Sequence, residues 1–323
     1  EKKRFAIWYS YYRNRILVSK SAISGAFLAQ DGRMRIGYGS INKTGSYTGV
    51  RPFNGAHRTS FFNWLFNVNP SGYTPLRKAL DTAGQYYKTD EPWRTEPGIE
   101  FSDKLSCRQS FTILMTDGYW NSDGASTAAA TENNDGTDGP IHTNSEGDVG
   151  QYKAADPYKD ARSGTLADVA MYYWKNDLKD NIDNFVPATK DVSPAFWQHM
   201  RVYGISLGVE GFVPEKDALA AITKPKDLQW GDPSNENRHS IDDLLHASIN
   251  SRGGYFNAKK ANDFRDKLAA TLKGISRGVA SSSNLAGTTT STQANNYVYQ
   301  GSYNGDDWSG ALKGYDIKAA DTV

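Results

Sequence analysis

The sequence predicts an α/β fold: an open, mostly parallel sheet with helices on both faces. Helix-like and strand-like segments alternate along most of the 323 residues, a pattern typical of parallel strands joined by crossover helices. The run at residues 111–116, FTILMT, is continuously apolar, as expected of a strand buried on both faces. The hydrophobic share of 38% is ordinary for a globular protein and supplies enough apolar surface for such a core.

The spacing of apolar residues predicts one long helix at residues 2–27. Phe5, Tyr9 and Tyr12 recur at helical intervals, and no proline interrupts the segment. Because bulky aromatic side chains are mostly buried, the aromatic cluster on this helix is predicted to belong to the core. The members of this cluster are Trp8, Tyr9, Tyr11 and Tyr12.

The same periodicity and the turn residues place the remaining elements. A turn at residues 70–72 precedes a helix that opens at Thr74, with Pro75 in its first position. The other predicted helices span residues 58–68, 165–178, 216–222, 241–250 and 262–275. The other predicted strands span residues 34–41, 111–116, 202–209 and 254–258.

A long polar stretch at residues 121–155 interrupts this alternation. A structureless loop of such length is unusual inside a domain, so we expect it to be functional or to be ordered by something bound. Its carboxylates Asp135 and Asp138 form a possible calcium site. The stretch lacks the spaced acidic ladder of an EF-hand, so a plain solvated loop is the favoured alternative.

The chain is predicted to divide into three parts. Residues 1–278 form the α/β domain, which opens directly in its first helix and lacks its first strand. Residues 279–298 are rich in Ser, Thr, Ala and Asn and are predicted to be a linker. Residues 299–323 resume with strand-like sequence and are predicted to start a second domain.

Charge and cysteine content exclude several classes of protein. Lys and Arg number 37 against 36 Asp and Glu, so the chain lacks the net positive charge that attracts nucleic acids or anionic membranes. No apolar run approaches the roughly 18 residues of a membrane span. Cys107 is the single cysteine, which rules out a disulfide within the chain. It is either a buried thiol or paired with a cysteine outside this chain.

Two motifs predict oxygen ligands at one edge of the sheet. Asp117 follows the strand at residues 111–116, and Thr74 lies in the glycine turn SGYTPL. Because parallel sheets bind ligands outside the carboxyl ends of their strands, we expect this hydroxyl and carboxylate to lie close together. Such donors suit Mg²⁺ or Ca²⁺ more than zinc. The alternatives are a helix cap at Thr74 and a turn former at Asp117.

Together with the order of elements, these motifs resemble the von Willebrand factor A fold. In that family a metal-ion-dependent adhesion site combines an Asp-x-Ser-x-Ser turn, a Thr from a Gly-rich turn and the Asp of a T-D-G turn. Thr74 and Asp117 match the second and third positions, whereas no Asp-x-Ser-x-Ser occurs in the sequence. A bound divalent cation, Mg²⁺ or Ca²⁺, is therefore expected only where upstream ligands outside this chain complete the site.

A closer resemblance is to the PilC/PilY family of type IV pilus tip-associated adhesins. The phrases that carry it are AIWYSYYRNR (6–15), GYGSIN (37–42), SFTILMTDGYWN (110–121), TLADVAMYYWKNDL (165–178), PAFWQHM (194–200) and GDDWSGALKGYDI (305–317). The resemblance implies a von Willebrand A-like domain followed by a β-propeller that begins near Tyr299. It also implies export through the periplasm and outer membrane to the pilus tip at the cell surface, and roles in pilus biogenesis, surface adhesion and twitching motility.

The expected function is therefore adhesion and pilus biogenesis without catalysis. The implied partners are minor pilins at the pilus tip and a host-cell or abiotic surface ligand. The alternative is a structural tip-assembly module that docks on minor pilins, with any metal incidental. Ser206 lies in a Gly-x-Ser-x-Gly phrase like that of hydrolases, but it is predicted to lie within a strand rather than on the sharp turn which that chemistry requires.

Overall fold

The computed structural model describes most of the chain. The described residues are 1–43, 45–94, 105–121, 124–188, 193–234, 237–280, 285–287, 297–304 and 309–316, with side chains up to residue 276. The chain divides into two compact units, Glu1–Ala269 and Ala270–Val323. The predicted boundaries, with a linker at residues 279–298, stay a prediction.

A three-stranded parallel sheet lies in the first unit, and it confirms the predicted α/β class. Strand β3 (Ser110–Thr116) and strand β7 (Gly254–Asn257) flank the central strand β6 (Met200–Ser206). Thr116 pairs with Ser206, which in turn pairs with Asn257. The three strands therefore end at one level and form a shared carboxyl edge. The strand predicted at residues 202–209 lies further toward the amino terminus and ends at Ser206.

Helices flank this sheet and are joined to it by polar side chains as well as by apolar packing. Helices α4 (Leu76–Tyr87), α6 (Leu166–Lys175) and α8 (His239–Asn250) pack on the sheet, and α7 (Glu215–Thr223) packs on α8. Helix α9 (Ala261–Ala280) begins in the first unit, where the ring of Phe264 lies 6.3 Å from that of Phe256 in β7. Helix α6 begins with a capping box in which Thr165 and Asp168 bond each other's backbone N–H groups. Every residue of α8 from position 240 onward is buried, and Ser248 Oγ accepts the N–H of Gly204 in β6.

The helix predicted at residues 2–27 is broken into two. Helix α1 (Lys2–Tyr11) ends before a short turn, and helix α2 (Arg15–Leu28) starts anew because Asn14 Oδ1 caps it by accepting the N–H of Leu17. None of the residues of α1 is buried. The prediction that its aromatic cluster belongs to the core is wrong, since Trp8, Tyr9 and Tyr11 are 49%, 52% and 58% exposed.

A smaller aromatic core lies beside the sheet. Strand β1 (Arg35–Tyr38) pairs antiparallel with β2 (Thr48–Pro52), so the strand predicted at residues 34–41 belongs to a hairpin of its own. Helix α3 (Gly55–Asn67) contributes Phe61, which packs at ring distances of 5.0 Å and 5.2 Å from Phe27 and Phe53.

The polar stretch at residues 121–155 is ordered in its described part by the protein itself. It contains helix α5 (Ala128–Thr131) and the short strands β4 (His142–Thr143) and β5 (Val149–Gly150). Asn134, Asp135 and Tyr152 are buried. The favoured alternative of a plain solvated loop is therefore wrong. The physical reason is that these side chains supply their own buried hydrogen bonds.

The described residues of the second unit include three antiparallel strands. Their order is β10 (Ser309–Asp316), β9 (Tyr297–Asn304) and β8 (Leu285–Gly287). The assignment of this segment to a β-propeller stays a prediction. Within the described part of the chain, none of the helices combines the length and apolar character that a membrane span requires.

Candidate functional site

The sheet's carboxyl edge carries the two residues that the sequence selects as metal ligands. Asp117 directly follows β3. Thr74 lies just before α4, and the backbone of its turn is tied to the segment after β3: the Thr74 N–H donates to Asn121 Oδ1 at 2.8 Å, and the Asn121 N–H donates to the Thr74 carbonyl at 3.0 Å. The structure thus brings the Thr74 and Asp117 segments to the same edge, while their binding of a cation stays a prediction.

This edge is open to solvent and is flanked by aromatic side chains. The Asp117 side chain is 61% exposed, and its Oδ2 lies 3.5 Å from Arg15 Nη1, in an ion pair that solvent screens. Tyr73 and Tyr119, which adjoin Thr74 and Asp117 in the sequence, are 81% and 42% exposed. We call these five residues the edge face. It presents a carboxylate, a guanidinium, a hydroxyl and two phenol rings to a partner.

The alternative role of Thr74 as a helix cap is not what the structure shows. Pro75 occupies the cap position of α4, and no side chain caps this helix. The hydroxyl of Thr74 is therefore not used to start the helix. An exposed carboxylate and a hydroxyl on adjoining segments are the donor types that a hard cation prefers, so both residues fit the predicted ligand set.

A second group of ligand-type side chains lies inside the first unit. Asp135, Asp160 and His246 each offer one ligand atom, and these atoms all lie within 4.8 Å of one another. His246 Nε2 lies 3.5 Å from Asp135 Oδ2 and donates to the Tyr158 carbonyl at 2.6 Å. This buried Asp-Asp-His group has the composition of a metal site.

Burial governs the protonation of this group. It raises the pKa of Asp135 to about 8, with the Asp168 carboxylate adding to the shift. Burial lowers the pKa of His246 to about 3, so its imidazole is neutral at physiological pH. The pKa of Asp160 is also raised by burial. The Trp230 indole stacks on the His246 ring at 4.1 Å, which fixes the imidazole plane.

The two predicted calcium ligands of the polar stretch have different partners. Asp135 is fully buried, and its Oδ1 accepts the Asp160 N–H at 3.0 Å. Asp138 bonds Lys153 Nζ at 2.8 Å through one oxygen and accepts the Ala154 N–H at 3.0 Å through the other. Calcium binding by this pair stays a prediction.

Sequence reasoning selected Asp135 but missed its two partners. The sequence around His246 carries no metal-binding motif: His239 lies seven residues away, and no His-Glu-x-x-His occurs. The available signal was the pair of His246 and Asn250, four residues apart and therefore on one face of α8. Asp160 lies in an irregular segment and had no comparable signal.

The structure also shows the surroundings of Ser206 and Cys107, two residues singled out in the sequence. Ser206 is fully buried at the end of β6, where its Oγ lies 2.7 Å from the Tyr255 hydroxyl. Cys107 is a free, exposed thiol, which corrects the alternative of a buried one.

The chain is similar in sequence to curated type IV pilus biogenesis factors. It is 33% identical over 376 aligned residues to the type IV pilus biogenesis factor PilY1 of Pseudomonas aeruginosa strain PAK, covering 99% of this chain and 30% of that protein. PilY1 of strain UCBPP-PA14 is also 33% identical and covers 100% of this chain. The predicted relationship to the PilC/PilY family is confirmed. This PilC/PilY-related chain spans about 30% of the length of those curated relatives.

Other comparisons add little to this relationship. No protein-family model matches the chain. The pilus adhesin SpaC from Lactobacillus rhamnosus GG, in its open conformation, aligns with 94% of the PilC/PilY-related chain and 34% of its own length. Its TM-score of 0.40 and identity of 12% are too low to support a functional conclusion.

Proposed function

We propose that this chain is part of a type IV pilus biogenesis factor that also acts as an adhesin at the pilus tip, without catalytic activity. The observation that carries the proposal is the 31–33% identity to PilY1 proteins over 99–100% of the chain. The partners proposed are minor pilins and a host-cell or abiotic surface. Burial of Ser206 and its bond to Tyr255 support a role without hydrolytic chemistry.

Adhesion is proposed to use the edge face. Thr74 and Asp117 would hold a divalent cation together with ligands from the longer protein, in the manner of a von Willebrand A adhesion site. The cation would supply a positive site for a carboxylate of the surface ligand. The exposed phenol rings of Tyr73 and Tyr119 provide contact area around it at little cost in conformational entropy.

A role in tip assembly is the second candidate, and helix α1 favours it. Its aromatic side chains are about half exposed and cluster on a single short helix, with Phe5 stacked 6.0 Å from Tyr9. Aromatic surface of this kind is enriched in protein interfaces. In this role the chain would dock on minor pilins, and the edge face would not matter.

The substitution D117N in the full-length protein separates the two roles. Surface piliation is measured by shearing and immunoblotting, and adhesion by retention on a surface with and without a chelator. The matched control is D266N, which removes another exposed carboxylate paired with an arginine, Arg265. Lost adhesion with intact piliation supports the adhesin role.

The remaining outcomes are equally informative. Unchanged adhesion and piliation in D117N are the result that the assembly role predicts, because that role does not use the edge face. Joint loss of piliation and adhesion in D117N, with a normal D266N strain, would mean that pilus formation itself requires Asp117 and would contradict both roles as described. Deletion of the whole segment without effect on pili or adhesion would overturn the proposed function itself.

A further inference from the structure

We propose that Asp135, Asp160, His246 and Asn250 form an internal binding site for a first-row transition-metal dication such as Zn²⁺ or Mn²⁺. The site shares no residue with the edge face and does not depend on the proposed function. It lies where the polar segment at residues 124–164 meets helix α8. An ion bound there would join these two parts of the fold.

The tautomer of His246 is fixed, and it leaves a nitrogen lone pair available. The Tyr158 carbonyl can only accept, so His246 Nε2 carries the proton of their 2.6 Å hydrogen bond. His246 Nδ1 is therefore an acceptor, and it lies 3.9 Å from Asp160 Oδ2, another acceptor. That separation is too long for a hydrogen bond. Two ligands of one ion, each at about 2.1 Å, lie up to roughly 4.2 Å apart, so the spacing suits a shared cation.

Asn250 provides an independent observation. It is completely buried at the end of α8, and its Nδ2 donates to Asp135 Oδ2 at 2.9 Å. Its Oδ1 has no hydrogen-bond partner among the residues that the structure describes. Buried carbonyl oxygens are nearly always partnered. Rotation of the amide by 180° would place Oδ1 where Nδ2 now faces Asp135, and an ion held by Asp135 would then be its partner.

The surrounding charges leave the two aspartates without a compensating cation. The nearby buried carboxylates Asp168 and Asp243 each accept backbone N–H groups at the start of α6. Asp135 and Asp160 each accept one backbone N–H as well, from Asp160 and Arg162 respectively. Neither has a Lys or Arg ion-pair partner within the described ranges, where Arg162 pairs with Asp232. Buried carboxylates are normally paired or bound to a metal.

The donor set selects the class of ion. One imidazole nitrogen with carboxylate and amide oxygens, and no thiolate, suits Zn²⁺ or Mn²⁺. Ca²⁺ and Mg²⁺ prefer sites built entirely from oxygen. The site is therefore distinct in chemistry from the hard-cation site predicted at the edge face.

The test is a titration of the chelator-dialysed chain with Zn²⁺, Mn²⁺, Ca²⁺ and Mg²⁺ separately, by calorimetry and by thermal melting. Trp230 fluorescence reports on the site because its indole stacks on His246. We expect one Zn²⁺ or Mn²⁺ per chain, with a rise in Tm. We expect D160N to weaken that binding by at least about tenfold.

We expect the metal-free protein to tolerate D160N, so that weaker ion binding in this variant is not a result of misfolding. The carbonyl of the substituted side chain still accepts the Arg162 N–H, and its new amide places a donor group, in place of an acceptor oxygen, opposite the lone pair of His246 Nδ1. The matched control is E146Q, which alters an exposed carboxylate of the same segment. As a second variant, N250D adds a charge at the site and is expected to tighten binding, the opposite sign from D160N.

Several results would overturn the proposal. These are the absence of saturable Zn²⁺ and Mn²⁺ binding, equal affinity in D160N and the parent chain, or equal weakening of binding in E146Q and D160N. Tighter binding of Ca²⁺ than of Zn²⁺ and Mn²⁺ would overturn the assignment of the ion. Weaker binding in N250D would exclude Asn250 as a ligand.

Discussion

Thr74 and Asn121 are joined by a reciprocal pair of hydrogen bonds. The Thr74 N–H donates to Asn121 Oδ1 at 2.8 Å, and the Asn121 N–H donates to the Thr74 carbonyl at 3.0 Å. These bonds attach the turn before α4 to the segment that follows β3. The edge face therefore depends on a residue that belongs to neither of the two motifs from which it was predicted.

Removal of the Asn121 side chain should loosen the edge face. We expect N121A to lower the free energy of unfolding by about 1 kcal/mol because the Thr74 N–H loses its acceptor. N121D retains an acceptor oxygen at the same position and is the control. Urea denaturation measures both variants. Equal stability of N121A and the parent chain would show that the Thr74 turn is held by other contacts.

The packing of α4 against α6 should tolerate no added atom at Gly84. A Cβ built at this residue meets the Tyr173 ring at 2.4 Å, and Tyr173 cannot move freely because its hydroxyl donates to Asp81 Oδ1 at 2.5 Å. We expect G84A to destabilise the chain by about 1–3 kcal/mol, as measured by urea denaturation.

A second helical glycine provides the control for this experiment. At Gly274 an added Cβ meets no atom within 4 Å. We expect G274A to raise stability by about 0.5–1 kcal/mol, because alanine has the higher helix propensity. If G84A also raises stability, helix propensity rather than packing decides the effect at Gly84.

The sheet could be predicted from the sequence because its pattern is local. The strand predicted at residues 111–116 differs by one residue from β3, and the helix predicted at residues 241–250 differs by two from α8. In a continuous apolar run or a long amphipathic helix, the residue pattern itself indicates which side chains are buried. The hairpin of β1 and β2 could not be predicted in the same way, because β2 contains a glycine and a proline.

The candidate sites differ in the same way: the position of one follows from the neighbouring sequence, and the position of the other depends on contacts between distant segments. The position of Asp117 at the carboxyl edge of the sheet could be predicted, because this residue directly follows a buried strand and the fold determines where parallel strands end. The buried group of Asp135, Asp160 and His246 could not be predicted, because Asp135 and His246 come together only when an irregular segment folds against α8. Periodicity carries no information about such a contact, although residue type did select Asp135.

The exposure of α1 should make Phe5 nearly irrelevant to stability. Its ring is 63% exposed and contacts Trp8 and Tyr9 of the same helix. We expect F5A to change the free energy of unfolding by no more than about 0.5 kcal/mol, as is usual for surface positions. Guanidinium denaturation monitored by circular dichroism measures the change.

Phe61 provides the contrasting substitution. It is 3% exposed and packs against Phe27 and Phe53. We expect F61A to cost about 3–5 kcal/mol, because it removes a buried aromatic ring and leaves a cavity. A comparable loss in F5A would mean that α1 is packed in solution, as the sequence had predicted.

Stability should fall in mild acid because of His199. This side chain is buried, and burial lowers its pKa from 6.5 to about 4. Between these two values the unfolded chain binds a proton that the folded protein does not bind. The contribution of His199 is therefore complete above pH 6.5 and is lost as the pH falls toward 4, by about 2 kcal/mol at pH 5.

The substitution H199Q isolates this contribution from other titrating groups. His246 shifts in the same direction as His199, whereas Asp135, whose pKa is raised, acts in the opposite direction. Urea denaturation at pH 7.5 and pH 5, in the presence of a chelator, gives the pH-dependent loss of stability for each chain. We expect the loss to be about 2 kcal/mol smaller in H199Q than in the parent chain. An equal loss in both chains would mean that His199 is protonated in the folded protein at pH 5, and that its hydrogen bond to the Trp197 carbonyl outweighs its burial.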